Sequence, residues 1–92
     1  MPPLSPEDLK NHLANMPGWN IAGRELVRVF QFKDFRAALG FVNHVGVLAE
    51  EAGHHPDIDI RYNKVRLGLT THDSGGITAK DFALAKQADR LA

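Results

Sequence analysis

The sequence predicts an α+β fold: a two-layer sandwich in which a four-stranded antiparallel sheet carries three helices on one face, in the order α-β-β-α-β-β-α. Three observations predict it. Apolar residues switch between helical and strand spacing along the chain. Two alternating segments, Ile58–Tyr62 and Val65–Leu69, are separated by a turn so short that the strands must run antiparallel. Polar residues at every second position of those segments leave one sheet face to solvent, so three amphipathic helices can cover only the other. With 92 residues there is room for one domain, spanning 1–92.

The first helix has a clear start. Ser5 is placed to cap it, Pro6 suits the first helical position, and Asp8 completes a capping box. Leu4 and Leu9 take the staple positions on either side. Leu9, Leu13 and Met16 continue at helical spacing, and Pro17-Gly18 ends the helix. Trp19-Asn20-Ile21 reads as a short strand before a turn at Gly23, and Leu26 to Phe32, rich in β-branched and aromatic residues, as a second. Asp34 caps the second helix, whose apolar face comprises Phe35, Ala38, Leu39, Val42, Val45 and Ala49. Gly53 fits its C-terminal cap. Ile58, Ile60 and Tyr62 then alternate with Asp57, Asp59 and Arg61, and Val65, Leu67 and Leu69 with Lys64, Arg66 and Gly68. Asn63-Lys64 is the expected hairpin turn. The last helix opens with Thr78 as cap, Asp81 as its capping-box partner, and Ile77 with Phe82 as staple.

Composition excludes several classes. Apolar residues make up 43% and charged residues 24%, as in ordinary globular proteins and unlike disordered or collagenous chains. Eleven Lys and Arg balance eleven Asp and Glu, so no net positive field draws nucleic acid. With no cysteine there is no disulfide, thiolate nucleophile or thiolate metal site. No apolar run reaches the length of a membrane span, and the first residues do not form a secretory signal; a cytoplasmic protein without membrane partners is the expectation.

Three of the five histidines are drawn together by the hairpin. A turn at Asn63-Lys64 pairs Tyr62 with Val65, Ile60 with Leu67 and Ile58 with Leu69, and its extension places His55 opposite His72, about 5 Å away. His54 adjoins them. Glu50, four residues before His54, shares its helix face if the helix extends that far. Three imidazoles, a carboxylate and no thiol suit either of two chemistries. One is a metal site, since three His or two His with Glu is a common zinc set. The other is acid–base catalysis by groups that exchange protons near neutral pH. The spacing matches no metal signature such as His-Glu-x-x-His. Structural roles are also open: His-Pro can simply break a helix, Asp81 is already explained as a cap, and Glu50 can be a solvated helix end. His12 and His44 fit helix surfaces, and Gly75-Gly76 lacks what a phosphate loop requires.

Glu50-x-x-x-His54-His55-Pro56, followed by Tyr62, His72 and Asp81 at fixed intervals, resembles the signature of the pterin-4a-carbinolamine dehydratase family, with every constrained position filled. Gly18-Trp19, Phe32-Lys33-Asp34-Phe35, Tyr62-Asn63-Lys64-Val65 and Thr71-His72-Asp73 extend the likeness over nearly the whole chain. The resemblance implies dehydration of 4a-hydroxytetrahydropterin to quinonoid dihydropterin, a hydro-lyase reaction of tetrahydrobiopterin recycling that follows aromatic amino-acid hydroxylation and uses no metal or organic cofactor. It implies that His54, His55 and His72 line the pterin pocket, with substrate contacts from His54-His55-Pro56 and Thr71-His72-Asp73-Ser74. Of these, His54 and His72 are expected to act as acid and base and His55 to hold the pterin. Glu50 is expected to favour the charged form of His54, and Asp81 to fix the helix start beside the pocket. The alternative is a non-enzymatic binding, assembly or coactivator protein on the same fold. The resemblance also implies a homodimer or homotetramer. Phe41 and Leu48, with Ala37 and Ala52 in line, extend the apolar surface of the second helix beyond its core face and are the expected contact stripe.

Overall fold

The structure is a computed structural model and describes residues 2–92. Its elements run α1 (Pro6–Leu13), β1 (Asn20–Ala22), β2 (Glu25–Gln31), α2 (Phe35–Ala52), β3 (Asp57–Arg61), β4 (Lys64–Leu69), a 3₁₀ turn (His72–Ser74) and α3 (Ala79–Leu91). The strands form one antiparallel sheet in the order β1-β2-β4-β3. The element order and class are those expected. No helix among the described residues is long and apolar enough to cross a membrane.

Local chemistry sets the helix ends. Ser5 Oγ accepts the Asp8 amide at 3.2 Å, Asp34 Oδ1 accepts the Ala37 amide at 2.8 Å, and Thr78 with Asp81 forms a complete capping box. The first helix stops at Leu13, earlier than the spacing of its apolar residues suggests; Met16 lies past its end and is nonetheless core. The inward side chains Leu26 and Phe30 of β2 and Val65, Leu67 and Leu69 of β4 meet Ala38, Phe41, Val45 and Ala49 of α2, and Phe82, Leu84, Ala85 and Ala88 of α3. Trp19 closes one end of this core. Its Nε1 donates to both Asp89 oxygens, at 3.0 and 3.1 Å, and Arg28 donates to the same carboxylate at 2.8 Å. The start of the sheet is thereby tied to the end of α3.

Two expectations are corrected. The hairpin turns at Tyr62-Asn63, one residue earlier than expected, so Ile60 pairs with Val65 and Ile58 with Leu67. Tyr62 takes φ 53°, the positive value that a tight hairpin needs at its first loop position. Asn63 holds it there: its Nδ2 donates to the Phe32 carbonyl, and its own carbonyl accepts the Phe32 amide, both at 2.8 Å. The slip is two residues in pairing, so every side chain keeps its face.

The second correction concerns α2, which is rotated from the expected face. Phe41 is 4% exposed and packs against Phe30 and Phe32, with ring centroids at 4.7 and 4.9 Å. Phe35 and Leu39, expected in the core, are 46% and 42% exposed. Phe41 therefore belongs to no contact stripe. Replacing Phe41 by Ala should cost about 3–5 kcal/mol, whereas Leu39→Ala should stay within about 1 kcal/mol. Chemical denaturation of the two variants checks the assignment, and equal losses would contradict it.

Candidate active site

The site lies where the end of α2, the β4–α3 loop and the start of α3 converge. Gly53 adopts φ 62°, ψ 29°, a left-handed cap that glycine takes without steric cost. Its amide donates to the Glu50 carbonyl at 3.2 Å, and the His54 amide reaches back to Ala49 at 3.1 Å. This double bond pattern closes the helix and turns the chain sharply, delivering the His54 side chain to α3.

There His54 meets Asp81. Its Nε2 lies 2.5 Å from Asp81 Oδ1. Asp81 is fully buried, and its other oxygen accepts the Thr71 hydroxyl at 2.9 Å and the Thr78 amide at 2.8 Å. Thr71 Oγ1 and Thr78 Oγ1 are 2.8 Å apart. A carboxylate withdrawn from water is tolerated only when its oxygens are hydrogen-bonded, and here both are, with three donors between them. Asp81 is thus helix cap and histidine partner together.

The pairing of the carboxylates differs from that expected. Glu50 bonds His55 Nε2, not His54, and this pair is open to solvent, with side chains 77% and 62% exposed. Asp81 takes the place beside His54. The corrected strand register also removes the expected pairing of His55 with His72, since the ladder ends at Asp57 opposite Gly68. His72 still reaches the same cleft, because the chain folds back after Thr71. The Thr71 amide donates to Gly76 at 3.0 Å, Gly75 takes φ 75°, and the turn between them presents His72 outward.

His54, His55 and His72 line one cleft of about 290 Å³, together with Gly53, Thr70, Thr71, Asp73 and Lys80. A second recess of about 340 Å³, lined by residues including Arg24, Glu25 and Asp57, adjoins it through the shared Thr70 and His72. Pro56, Ser74 and Glu50 do not line the cleft, and Asp81 is buried behind His54. Gly53, Thr70 and Lys80 line the cleft without having been expected there; for Lys80, the one charged side chain of the three, its place in the first turn of α3, one residue before Asp81, is the signal that could have found it. Among the described residues no three His, Asp or Glu converge on one point as a metal set. His12 and His44 lie elsewhere, His12 stacked on Phe82 at 4.6 Å.

Fold and cleft define a small α+β protein with a histidine-lined site braced by a buried carboxylate. The family model described as pterin 4 alpha carbinolamine dehydratase matches residues 2–91, and the chain belongs to that family. A protein of Chloroflexus aurantiacus, provisionally named pterin-4-alpha-carbinolamine dehydratase, is 57% identical over 99% of this chain and 98% of its own. One of the same provisional name from Acidobacterium capsulatum is 52% identical over 99% of both. Among solved structures, a transcriptional coactivator/pterin dehydratase from Brucella melitensis superposes with a TM-score of 0.93 at 34% identity, covering 98% of each chain. A pterin dehydratase-like protein described as a RuBisCO assembly factor of the alpha-carboxysome gives 0.71 at 26% identity, over 84% of this chain and 92% of that one.

The burial difference between the two carboxylates predicts unequal roles in stability. Asp81→Ala should cost about 2 kcal/mol or more, because the Thr71 hydroxyl and the Thr78 amide lose their acceptor inside the protein. Glu50→Ala should change stability by no more than about 0.5 kcal/mol, as for an exposed pair. Thermal melts of both variants test this; an equal effect would mean that Asp81 is not the buried anchor.

Proposed function

We propose that the protein catalyses the dehydration of 4a-hydroxytetrahydropterin to quinonoid dihydropterin and water. The observation that carries the reading is the cleft in which His54, braced by Asp81, shares a wall with His55 and His72. Family membership supplies the substrate class. In the reaction hydroxide leaves C4a, a proton leaves N5, and a C4a–N5 double bond forms. Hydroxide leaves poorly, so an imidazolium that protonates it lowers the barrier, while a second group takes the N5 proton. Two imidazoles facing one small cleft suit this pair of transfers. In this reading His54 and His72 act as acid and base, and His55, steadied by Glu50, holds and polarises the pterin.

No covalent intermediate is required, which agrees with a cleft that offers no thiol. Such a protein consumes what pterin-dependent aromatic hydroxylation leaves behind. The competing role is assembly or coactivation, on the strength of the likeness to the assembly factor. A rate assay separates the two: chemically generated 4a-hydroxytetrahydropterin should disappear faster with this protein than without it.

General acid and base groups contribute about 10²- to 10⁴-fold. His54→Ala and His72→Ala should therefore lower kcat by about one to four orders of magnitude above the unaided background. His55→Ala should raise KM more than it lowers kcat, as for a group that binds ground and transition states alike. His44→Ala, far from the cleft, should leave both unchanged. Equal mildness in all four would remove the acid–base assignment.

Self-association belongs to the same reading, with the surface revised. Phe35 and Leu39, one turn apart on α2, are exposed, as is Ile58 on the edge strand β3. An open strand edge beside an apolar helix stripe suits a second copy of the chain, which can pair the edge and cover the stripe at once. Sedimentation equilibrium should give a mass of at least twice 10.2 kDa for the native protein. Phe35→Glu with Leu39→Glu should give folded monomers. A native monomer at micromolar concentration would refute the association.

A further inference from the structure

The hydroxyl of Thr71 bonds both residues of the α3 capping box without being part of that box. Thr71 is 8% exposed and directly precedes His72. Its hydroxyl bonds Asp81 Oδ2 at 2.9 Å and Thr78 Oγ1 at 2.8 Å. Hydrogen-bond bookkeeping fixes the direction of each bond. The Asp81 carboxylate only accepts, so Thr71 uses its one proton there. Thr78 must then donate to Thr71, and its own oxygen accepts the Lys80 amide at 3.3 Å. The carboxylate likewise requires a proton on His54 Nε2. The other ring nitrogen, Nδ1, is the one left to meet a ligand.

We propose that Thr71 is a positioning residue that couples the two reactive histidines: its hydroxyl orients Asp81 so that His54 keeps its proton on Nε2 and offers Nδ1 to the substrate, while its backbone anchors the turn that presents His72. This rests on the dehydratase reading for its kinetic consequence but not for the tautomer. The anchoring is visible in the backbone, where the Thr71 amide bonds the Gly76 carbonyl at 3.0 Å and the Thr71 carbonyl accepts the Ser74 amide at 3.0 Å. One residue therefore sets His54 through Asp81 and His72 through the peptide bond. A neutral histidine whose partner only accepts is confined to one tautomer, and the wrong tautomer cannot exchange a proton at the required atom.

The test joins long-range ¹H–¹⁵N spectra of the histidine rings to steady-state kinetics on chemically generated 4a-hydroxytetrahydropterin. In the native protein neutral His54 should carry its proton on Nε2. Thr71→Val, nearly isosteric but without the hydroxyl, should let the Asp81 carboxylate turn away from His54, so that the ring loses its acceptor-only partner, mixes the two tautomers and lowers kcat about ten- to a hundredfold. KM should move by less than about threefold, because the hydroxyl that is removed bonds Asp81 and Thr78 while the rest of the cleft lining stays. Thr71→Ser, which retains the hydroxyl, should restore the tautomer and recover most of the loss. Should the valine variant not fold, Thr71→Ala takes its place in the comparison. A native His54 protonated on Nδ1, an unchanged tautomer in the hydroxyl-free variant, or a serine variant as impaired as the valine one would each overturn the proposal. A native protein that leaves dehydration at its unaided rate overturns the dehydratase reading instead, and the tautomer result stands apart from it.

Discussion

A single buried carboxylate organises this protein. Asp81 is fully withdrawn from solvent, and such a group persists only if both its oxygens find donors. Its donors come from three separate places: His54 after α2, Thr71 after β4, and Thr78 at the start of α3. Satisfying one side chain therefore requires three segments to arrive together, and those segments form the cleft. The interaction that starts the last helix is also the one that aims a histidine. The helix cap and the histidine contact thus meet in the same carboxylate.

The rest of the site follows from how the chain is turned at two glycines. Gly53 reverses the chain at the end of α2, and Gly75 closes the turn that carries His72, both in the left-handed region where side-chained residues are strained. These turns bring His54 and His72 to one cleft from outside the strands and α-helices. The sheet beneath is held rigid by its own pairing and by the Trp19–Asp89–Arg28 cluster at the far end. The cleft histidines thus stand on short segments whose ends are fixed by regular structure, a common way to hold precise geometry on exposed segments.

The likeness to two kinds of relative, dehydratases and an assembly factor, is compatible with this economy. A fold can host different functions, and the function resides in the site. Here the cleft retains three imidazoles, two of them paired to carboxylates, and the second pair is of a different kind from the first. Glu50 and His55 meet in solvent, where an ion pair stabilises little, so their pairing has little to do with the fold and is available to a ligand. His54 and Asp81 meet out of solvent, where geometry is fixed before any ligand arrives.

Element order, helix caps and the set of gathered histidines were legible in the sequence, because each depends on short-range rules. Ser5, Asp34 and Thr78 cap through amides two or three residues away, strand alternation has a period of two, and Gly53 marks a helix end by its backbone freedom alone. The features that went astray all depend on distant partners. The hairpin turns at Tyr62 because Asn63 bonds Phe32 across the sheet, an interaction strong enough to hold a tyrosine at positive φ against its own preference. α2 is apolar on more than one side, so its spacing cannot say which side is inward; the aromatic slot between Phe30 and Phe32 selects Phe41 over Phe35 and Leu39. The exchange of carboxylates, Asp81 to His54 and Glu50 to His55, has the same origin. Sequence distance favours the nearer Glu50, but the turn at Gly53 directs His54 inward, and only the packed interior makes a carboxylate 27 residues away its neighbour.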